Sequence, residues 1–315
     1  MSILDEFCTK YSNWGKWGAD DQKGTTNYIT ADKILSAMQL PKKGQVISLA
    51  LPYDGNGPQT GTFGRVNPIH QMLVTGVDHA SGRQMWGDRQ FPHGLGYADD
   101  TIFMPLQCGT QWDALSHIFH HGKMWNGYPA EEVSSSGAKR NGIEHLRETL
   151  VGRGVLLDIA RYKEVPCLSR QYAVTGEDLE GAAKKQGVEV REGDILLVRT
   201  GETGRARREG WTGYAGGDSP GLSFYSAPWI YEKRVAAVVL DTWGMEVRPN
   251  ELPDSFQPLH LVLIVHMGLT VGEIFYLDEL ADACAEDGRY EFLFAGPPLP
   301  FTGAVGSPLN PLAIR

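Results

Sequence analysis

The sequence lacks several features that mark large classes of protein. Its 315 residues contain four cysteines, and no two of them form a C-x-x-C pair. Scattered thiols are typical of a reduced cytoplasmic chain and not of a disulfide framework. No stretch approaches 18 consecutive apolar residues, and the first residues show no basic start followed by an apolar run. We therefore expect a cytoplasmic protein with no signal peptide and no contact with a membrane.

The sequence also has fewer basic than acidic residues. The chain has 29 Lys and Arg against 38 Asp and Glu, which gives a formal net charge of -9. Binding to a phosphate backbone depends on clustered Lys and Arg, so the acidic balance argues against a nucleic-acid partner. The densest basic run, 205–208, is followed at once by Glu209 and is interpreted as solvated surface.

The common glycine-rich and nucleophile motifs are missing as well. No G-x-G-x-x-G turn follows an apolar strand, and no G-x-x-x-x-G-K-[ST] occurs. Their absence argues against a dinucleotide-binding protein and against a P-loop nucleotide-binding protein. The absence of G-x-S-x-G argues against an α/β-hydrolase. The chemistry must therefore come from other side chains.

What is present is the composition of a globular protein, with 42% hydrophobic and 21% charged residues. Apolar runs that are hydrophobic on both faces indicate strands covered on each side, and helices separate only some of them. The pattern predicts strands at 44–51, 101–106, 154–159, 194–199, 235–240 and 259–265, and helices at 30–40, 175–186, 227–233 and 277–285. We expect a single mixed α/β domain over 1–315 with a buried mixed sheet.

One segment, at about 54–100, does not fit this pattern. It is rich in Gly, Pro, Asn and Asp and has one short apolar run. Irregular segments inside a globular domain are commonly functional. We interpret it as an insertion that supplies either a lid or a subunit interface, and Arg65 and His70 within it are candidates to contact a substrate carboxylate.

The most informative polar stretch is 107–117. It follows the predicted strand 101–106, and pockets commonly form at strand ends. Gln111, Asp113 and His117 lie close together in it, with Trp112 between them. On a helical turn, Asp113 and His117 would share a face about 6 Å apart, near enough to touch one ion or one substrate.

A second polar group lies far downstream. His260 precedes a strongly apolar run, and Glu273 follows a turn that contains glycine. Both residues sit at the edges of apolar elements, where side chains reach pockets more readily than from the core. His266, inside the run, is interpreted as a core histidine.

The 107–117 stretch resembles the signature H-x-G-T-H-x-D-x-P-x-H of the putative cyclase family of metal-dependent hydrolases, which includes kynurenine formamidase and isatin hydrolase. The positions that match are Gly109, Thr110, Asp113 and His117. A histidine followed by a glutamate about a dozen residues later also belongs to the family pattern. The segments 17–27, 192–201 and 238–243 are similar to family members too, so the resemblance spans nearly the whole chain.

The departures from the signature concern the metal. Its two histidines are replaced here by Gln107 and Gln111, and its proline by Leu115. A glutamine offers only a neutral carbonyl oxygen, which suits a hard ion such as Mn²⁺ better than Zn²⁺. Fewer imidazoles should weaken binding, and a site without metal is the alternative.

The resemblance implies a swivelling β/β/α fold, a homodimer or homotetramer, and one divalent ion, Mn²⁺ or Zn²⁺. The ligands it implies are Asp113, His260 and Glu273, with help from Gln111. His117 takes the place of the proton shuttle, and Glu273 could share the role of base.

The activity implied is hydrolysis of a C–N bond other than a peptide bond, in a small amide or cyclic amide, with a lactone ester as a variant. Trp86, Trp112 and Tyr128 are candidates for a flat aromatic wall around the substrate. Two alternatives stay open. One is a small-molecule binding protein whose metal site has decayed, and the other is a metal-dependent lyase or dehydratase.

Overall fold

The computed structural model describes residues 2–315, and a nine-stranded sheet organises it. The strands are β1 (Val46–Ser48), β2 (Ile69–Val74), β3 (Met85–Trp86), β4 (Arg89–Gln90), β5 (Asp99–Phe103), β6 (Gln111–Asp113), β7 (Val133–Ser134), β8 (Gly137–Ala138), β9 (Val151–Asp158), β10 (Ala173–Val174), β11 (Ile195–Arg199), β12 (Gly221–Leu222), β13 (Ala237–Leu240), β14 (Thr270–Glu273), β15 (Glu291–Ala295), β16 (Gly306–Pro308) and β17 (Leu312–Ile314).

The helices lie mostly in the second half of the chain. They are α1 (Ile3–Lys10), α2 (Ala31–Ala37), α3 (Gly76–Ala80), α4 (Ile159–Tyr162), α5 (Gly176–Gln186), α6 (Glu202–Glu209), α7 (Ala227–Lys233), α8 (Pro258–His260), which a π-helix (Leu261–Met267) continues, and α9 (Asp278–Asp287). Short 3-10 turns occupy Gly24–Tyr28, Thr62–Gly64, Pro92–Gly94, Trp125–Gly127, Ala130–Glu132, Ile143–Leu146 and Phe224–Ser226. No helix among residues 2–315 has both the length and the apolar character that a membrane crossing requires.

The main sheet is mixed, as the sequence predicts. Its order is β1-β17-β15-β9-β11-β13-β14-β6-β16, and the central strands β9, β11, β13 and β14 are parallel to one another. Consecutive residues of β11 enter two different cores, with Leu196 on one face and Leu197 on the other. The sequence of a parallel strand that is covered on both faces in this way is a continuous apolar run.

The sheet curls until its two ends approach each other. β16 is the last strand in the order and β17 the second, yet only residues 309–311 separate them in sequence. Hydrogen bonds cross the gap, since Leu51 N–H donates to Thr110 Oγ1 at 2.9 Å and Tyr276 N–H donates to the carbonyl of Leu49 at 2.9 Å. The curl brings β6 and β14 to the inside of the molecule.

The prediction of a strand at 259–265 is wrong. These residues form α8 and the π-helix, and almost every side chain of the segment is buried. A helix that is buried all round is as uniformly apolar as a buried strand, so periodicity cannot separate the two. Gln257 and the following Pro258 mark the true start, because proline is favoured in the first turn of a helix.

The strand predicted at 101–106 exists in part but is not buried. It corresponds to β5, which pairs with β2 in a two-stranded antiparallel sheet whose residues are largely exposed. The segment at about 54–100 therefore contains regular structure, with β2, α3 and the small β3–β4 hairpin. We call the region 66–103 the arm.

All four cysteines are free.

Gly272 in β14 allows close packing of three side chains against the sheet. A Cβ at this position would lie 2.7 Å from Trp112 and 2.9 Å from both Phe275 and Val239. We expect Gly272→Ala to lower the free energy of unfolding by about 1–3 kcal/mol, as overpacked cores do. Urea denaturation measures the change. Gly55→Ala is the matched control because no heavy atom lies within 4 Å of its Cβ position; equal stability of the two variants would contradict this account.

Candidate functional site

The candidate site begins where β6 and β14 lie side by side. Their antiparallel register sets Gln111 opposite Glu273 and Asp113 opposite Val271. Side chains alternate along a strand, so Gln111, Asp113 and Glu273 share one face. The Gln111 amide donates to Asp113 Oδ1 at 3.1 Å and to Glu273 Oε2 at 3.2 Å. The register thus gathers two carboxylates and an amide in one buried patch.

His260 reaches the same patch from the end of α8. Its side chain is buried, and its Nε2 lies 3.1 Å from Glu273 Oε1. Its Nδ1 lies 2.6 Å from Glu246 Oε1. The imidazole is therefore held between two carboxylates, one at each ring nitrogen.

Glu246 is a site residue that sequence reasoning missed. Its carboxylate accepts hydrogen bonds from the backbone N–H groups of Leu259 and His260, at 3.1 Å and 3.0 Å, and from Asn250 Nδ2 at 3.2 Å. These bonds satisfy the free N–H groups at the start of a helix and fix the His260 ring. The available signal was its position shortly after the carboxyl end of the buried strand β13, where pockets commonly form.

Burial dominates the electrostatics of Asp113. It raises the pKa of the carboxyl group, and the nearby charge of Glu273 raises it further. The positive charges of His117, His260 and Arg65 oppose that rise. Arg65, from the irregular segment, is thus one of the charges that lower the pKa of Asp113.

The pKa of His260 shifts in the opposite sense. Burial lowers it, but the hydrogen bonds to Glu246 and Glu273 outweigh burial and raise the pKa to about 10. Three buried carboxylates, those of Asp113, Glu246 and Glu273, surround this single histidine. Buried carboxylates need compensating positive charge, so the centre is short of cations as it stands.

The residues fit a divalent cation. Asp113, His260 and Glu273 each present a donor atom, and these atoms lie within 4.8 Å of one another. Gln111 Oε1 is buried without a hydrogen-bond partner. A half-turn of this amide would exchange its oxygen and nitrogen, and would bring the oxygen between the two carboxylates. Oxygen and imidazole donors suit Mn²⁺ and Zn²⁺.

His117 lies at the border between this centre and solvent. Its Nε2 is 3.9 Å from Asp113 Oδ1, and its side chain is 19% exposed, whereas that of Asp113 is 1% exposed. Residues 113–117 do not form a helical turn, because Asp113 ends β6 and a tight turn follows. The turn nevertheless brings the two side chains together, with His117 on the accessible side.

Trp112 and Gln107 lie elsewhere. Trp112 is fully buried in the core on the opposite face of β6, where its Nε1 donates to the carbonyl of Gly296 at 2.7 Å. Alternation along the strand explains this, since Trp112 separates Gln111 from Asp113. Gln107 Nε2 is buried without a hydrogen-bond partner and lies against Gly306, outside the group of three donors.

The remaining aromatic candidates are spread over the surface. Trp86 lies in the β3–β4 hairpin, is 53% exposed and is covered by Arg89. Tyr128 donates to the carbonyl of Ala19 at 3.1 Å, and Arg140 lies over its ring. His70, the other polar candidate, pairs with exposed Asp100 on the arm. The structure does not bring these side chains together with Asp113.

A different aromatic group lies beside the centre. Trp243 stacks on Phe63 with ring centroids 6.0 Å apart, and the Arg65 guanidinium lies 5.4 Å from the Trp243 ring. Two residues beyond Trp243, the Met245 N–H donates to Glu273 Oε1 at 3.0 Å. The link to Glu273 places this group next to the carboxylates, with the exposed Phe63 at its outer side.

Comparison with solved structures identifies the fold. A crystal structure described as a novel cyclase is 41% identical and has a TM-score of 0.86, with 98% of this chain and 99% of the other covered. Isatin hydrolase A from Ralstonia solanacearum is 17% identical with a TM-score of 0.62, over 89% of this chain and 93% of the other. A predicted metal-dependent hydrolase from Bacillus stearothermophilus is 16% identical with a TM-score of 0.50, over 85% and 97%.

The family comparison agrees with these structures. No curated protein matches the chain. The family model described as putative cyclase matches residues 47–247, which include β6 and all but the last two of the residues that form the centre. The mixed α/β fold and the resemblance predicted from the sequence are both confirmed. The chain belongs to the putative cyclase family.

Proposed function

We propose that this protein is a metal-dependent hydrolase that opens the C–N bond of a small amide or cyclic amide, with a lactone ester as a variant. The observation that carries the proposal is the buried group of Asp113, His260 and Glu273, whose donor atoms lie within 4.8 Å of one another. His117 beside it, at the edge of the buried patch, supplies a group that can move a proton.

A divalent cation bound by Asp113, His260 and Glu273 would act as a Lewis acid on the substrate carbonyl and would favour ionisation of a water. Glu246 keeps the His260 ring in place through its Nδ1. His117 accepts the proton of the attacking water. It then delivers that proton to the leaving nitrogen, or to oxygen in a lactone, as the bond to the carbonyl carbon breaks. The product therefore contains one water more than the substrate.

The neighbouring side chains favour a flat substrate with an acceptor group. Exposed Phe63 offers aromatic surface and stacks on buried Trp243, two residues before Met245, which donates to Glu273. The Arg65 guanidinium lies over the Trp243 ring. Arginine is well suited to hold a carboxylate or carbonyl oxygen. We propose that Arg65 and Phe63 orient the substrate, with buried Trp243 supporting both, in place of the dispersed Trp86, Trp112 and Tyr128.

The test combines metal analysis with a substrate screen. Protein purified without chelators is analysed for metals, stripped with EDTA, reloaded with Mn²⁺ or Zn²⁺, and tested on formamides, lactams and lactones. We expect activity that disappears on stripping, returns on reloading, and adds the mass of one water to the substrate. A protein that takes up no metal would be a binding protein with a decayed site, and a product without added water would indicate a lyase.

We also propose that the arm packs against a second copy of the chain in a homodimer or homotetramer. Half of the large exposed apolar side chains lie in the arm, and Leu73 and Phe103 are 66% and 69% exposed. Exposed apolar patches of this kind are typical of interfaces. We expect the double variant Leu73→Asp, Phe103→Asp to be monomeric in light scattering.

Leu35→Asp is the matched control, since Leu35 is 61% exposed outside the arm and its replacement should leave the assembly intact. A wild-type protein that is already monomeric would overturn the assignment of the arm to an interface.

A further inference from the structure

We propose that Cys8, His120 and His266 form a second cation site, distinct from the Asp113 centre, for a borderline-soft divalent ion of the Zn²⁺ class. The three residues come from three parts of the chain. Cys8 is on α1, His120 lies in the turn that bridges to Lys123, and His266 is on the π-helix.

The three side chains are already gathered. The Cys8 sulfur and one nitrogen of each imidazole lie within 4.8 Å of one another. His120 Nδ1 is 2.9 Å from His266 Nε2, so the two rings face each other nitrogen to nitrogen. One thiolate and two imidazoles are ligands that Zn²⁺ prefers, and a bound ion would take the lone pairs of both facing nitrogens.

The surroundings hold the ligands in position. The His266 ring stacks on Trp14, with centroids 5.2 Å apart and planes 9° apart. Trp14 Nε1 is itself fixed by donating to the carbonyl of Val265 at 2.7 Å. Buried Cys8 is presented by α1, whose first turn is closed by a capping box at Ser2. These contacts restrict the orientation of the His266 ring and the position of the helix that carries Cys8.

The outer side of the cluster carries further donors. Asp5 and His121 form a second group with His120, again within 4.8 Å. His121 Nε2 lies 3.9 Å from Asp5 Oδ1. Structural zinc sites are four-coordinate, so Asp5 and His121 are candidates for a fourth ligand.

The π-helix connects the second site to the Asp113 centre. Single-turn π segments in proteins occur frequently at functional sites. In this chain the segment begins directly after His260, a residue of the Asp113 centre, and carries His266 near its far end. An ion at the second site would pin α1 to the helical segment that positions His260. The Cys8 thiol gives up one proton to solvent when it ligates the ion.

Cobalt provides the test, because Co²⁺ replaces Zn²⁺ and a thiolate ligand gives a near-ultraviolet charge-transfer band that oxygen and nitrogen ligands do not. The metal-free full-length protein is titrated with Co²⁺, followed by competition with Zn²⁺. We expect the band in the wild type, its loss in Cys8→Ser, and its displacement by Zn²⁺. Cys167→Ser is the matched control, because Cys167 is a free cysteine of another region.

Further variants keep the outcome independent of folding and of the proposed hydrolase. His120→Asn, at a partly exposed position, should weaken or remove the band even if Cys8→Ser fails to fold. Asp113→Asn should retain the band, because Asp113 belongs to the other centre. A wild type without the band, or a band that survives Cys8→Ser, would overturn the second site. If the same preparations still showed metal-dependent hydrolysis, the proposed function of the Asp113 centre would hold although the second site does not exist.

Discussion

Asp113→Asn is expected to remove the divalent ion of the Asp113 centre, but not an ion at the second site, and to reduce hydrolysis by at least about 10³-fold. The reason is that Lewis-acid stabilisation of a carbonyl is worth several kcal/mol. The substitution keeps the shape of the side chain and removes one of the charges that the ion requires. It also leaves Glu273 and His260 facing each other, so the remaining hydrogen bonds can hold the fold. Metal content and turnover are measured on the same preparation.

The control for this variant is Asp100→Asn. Asp100 is an exposed carboxylate on β5 that pairs with His70 and is not one of the residues of the centre. Its replacement should leave both metal and activity unchanged. If Asp113→Asn retained its full complement of metal and Cys8→Ser lost it, the ion would belong to the second site and Asp113 would not be a ligand.

His117→Ala is expected to separate metal binding from catalysis. General acid–base groups contribute about 10²–10⁴-fold in rate, so turnover should fall at least about 10²-fold. The ion should stay, because His117 Nε2 lies 3.9 Å from Asp113 Oδ1 at the edge of the group and is not among the three gathered donors. The measurement is turnover of the best substrate from the screen, with metal content determined in parallel.

His70→Ala is the matched histidine control, since His70 is exposed on the arm. Undiminished turnover in His117→Ala would contradict the proton-shuttle role and would shift the base to Glu273. Loss of metal in that variant would instead make His117 a ligand.

The sequence was sufficient to predict the mixed sheet and the family. The apolar runs at 154–159, 194–199 and 235–240 correspond closely to β9, β11 and β13, because strands buried on both faces leave little choice of residue. The residues of the proposed metal centre were also predictable, from a short motif and from a histidine–glutamate pair. Their roles stay predictions until metal and activity are measured.

The features of the site that could not be predicted depend on which face of a strand a side chain occupies and on which distant residue it contacts. Trp112 was predicted to face the substrate, but the strand character of 111–113 turns it into the core. Its neighbours gave no sign of strand alternation, because three residues are too few to show a period. Glu246 became visible only through its pairing with His260, 14 residues away, which no local pattern records.

The register between β6 and β14 has a consequence for how the protein folds. Gln111 and Glu273 are 162 residues apart in sequence, so the centre is completed only by contacts of high sequence separation. Closing such distant contacts is slow, and an unfolded chain holds no preformed pair of carboxylates for an ion to recognise. A cation bound at the proposed centre would stabilise the completed sheet relative to every less folded state. The stability of the native protein would then rise with the logarithm of free metal concentration once that concentration exceeds the dissociation constant. If the proposed centre binds metal, the metal supply in the cell would help to determine how long the folded protein survives.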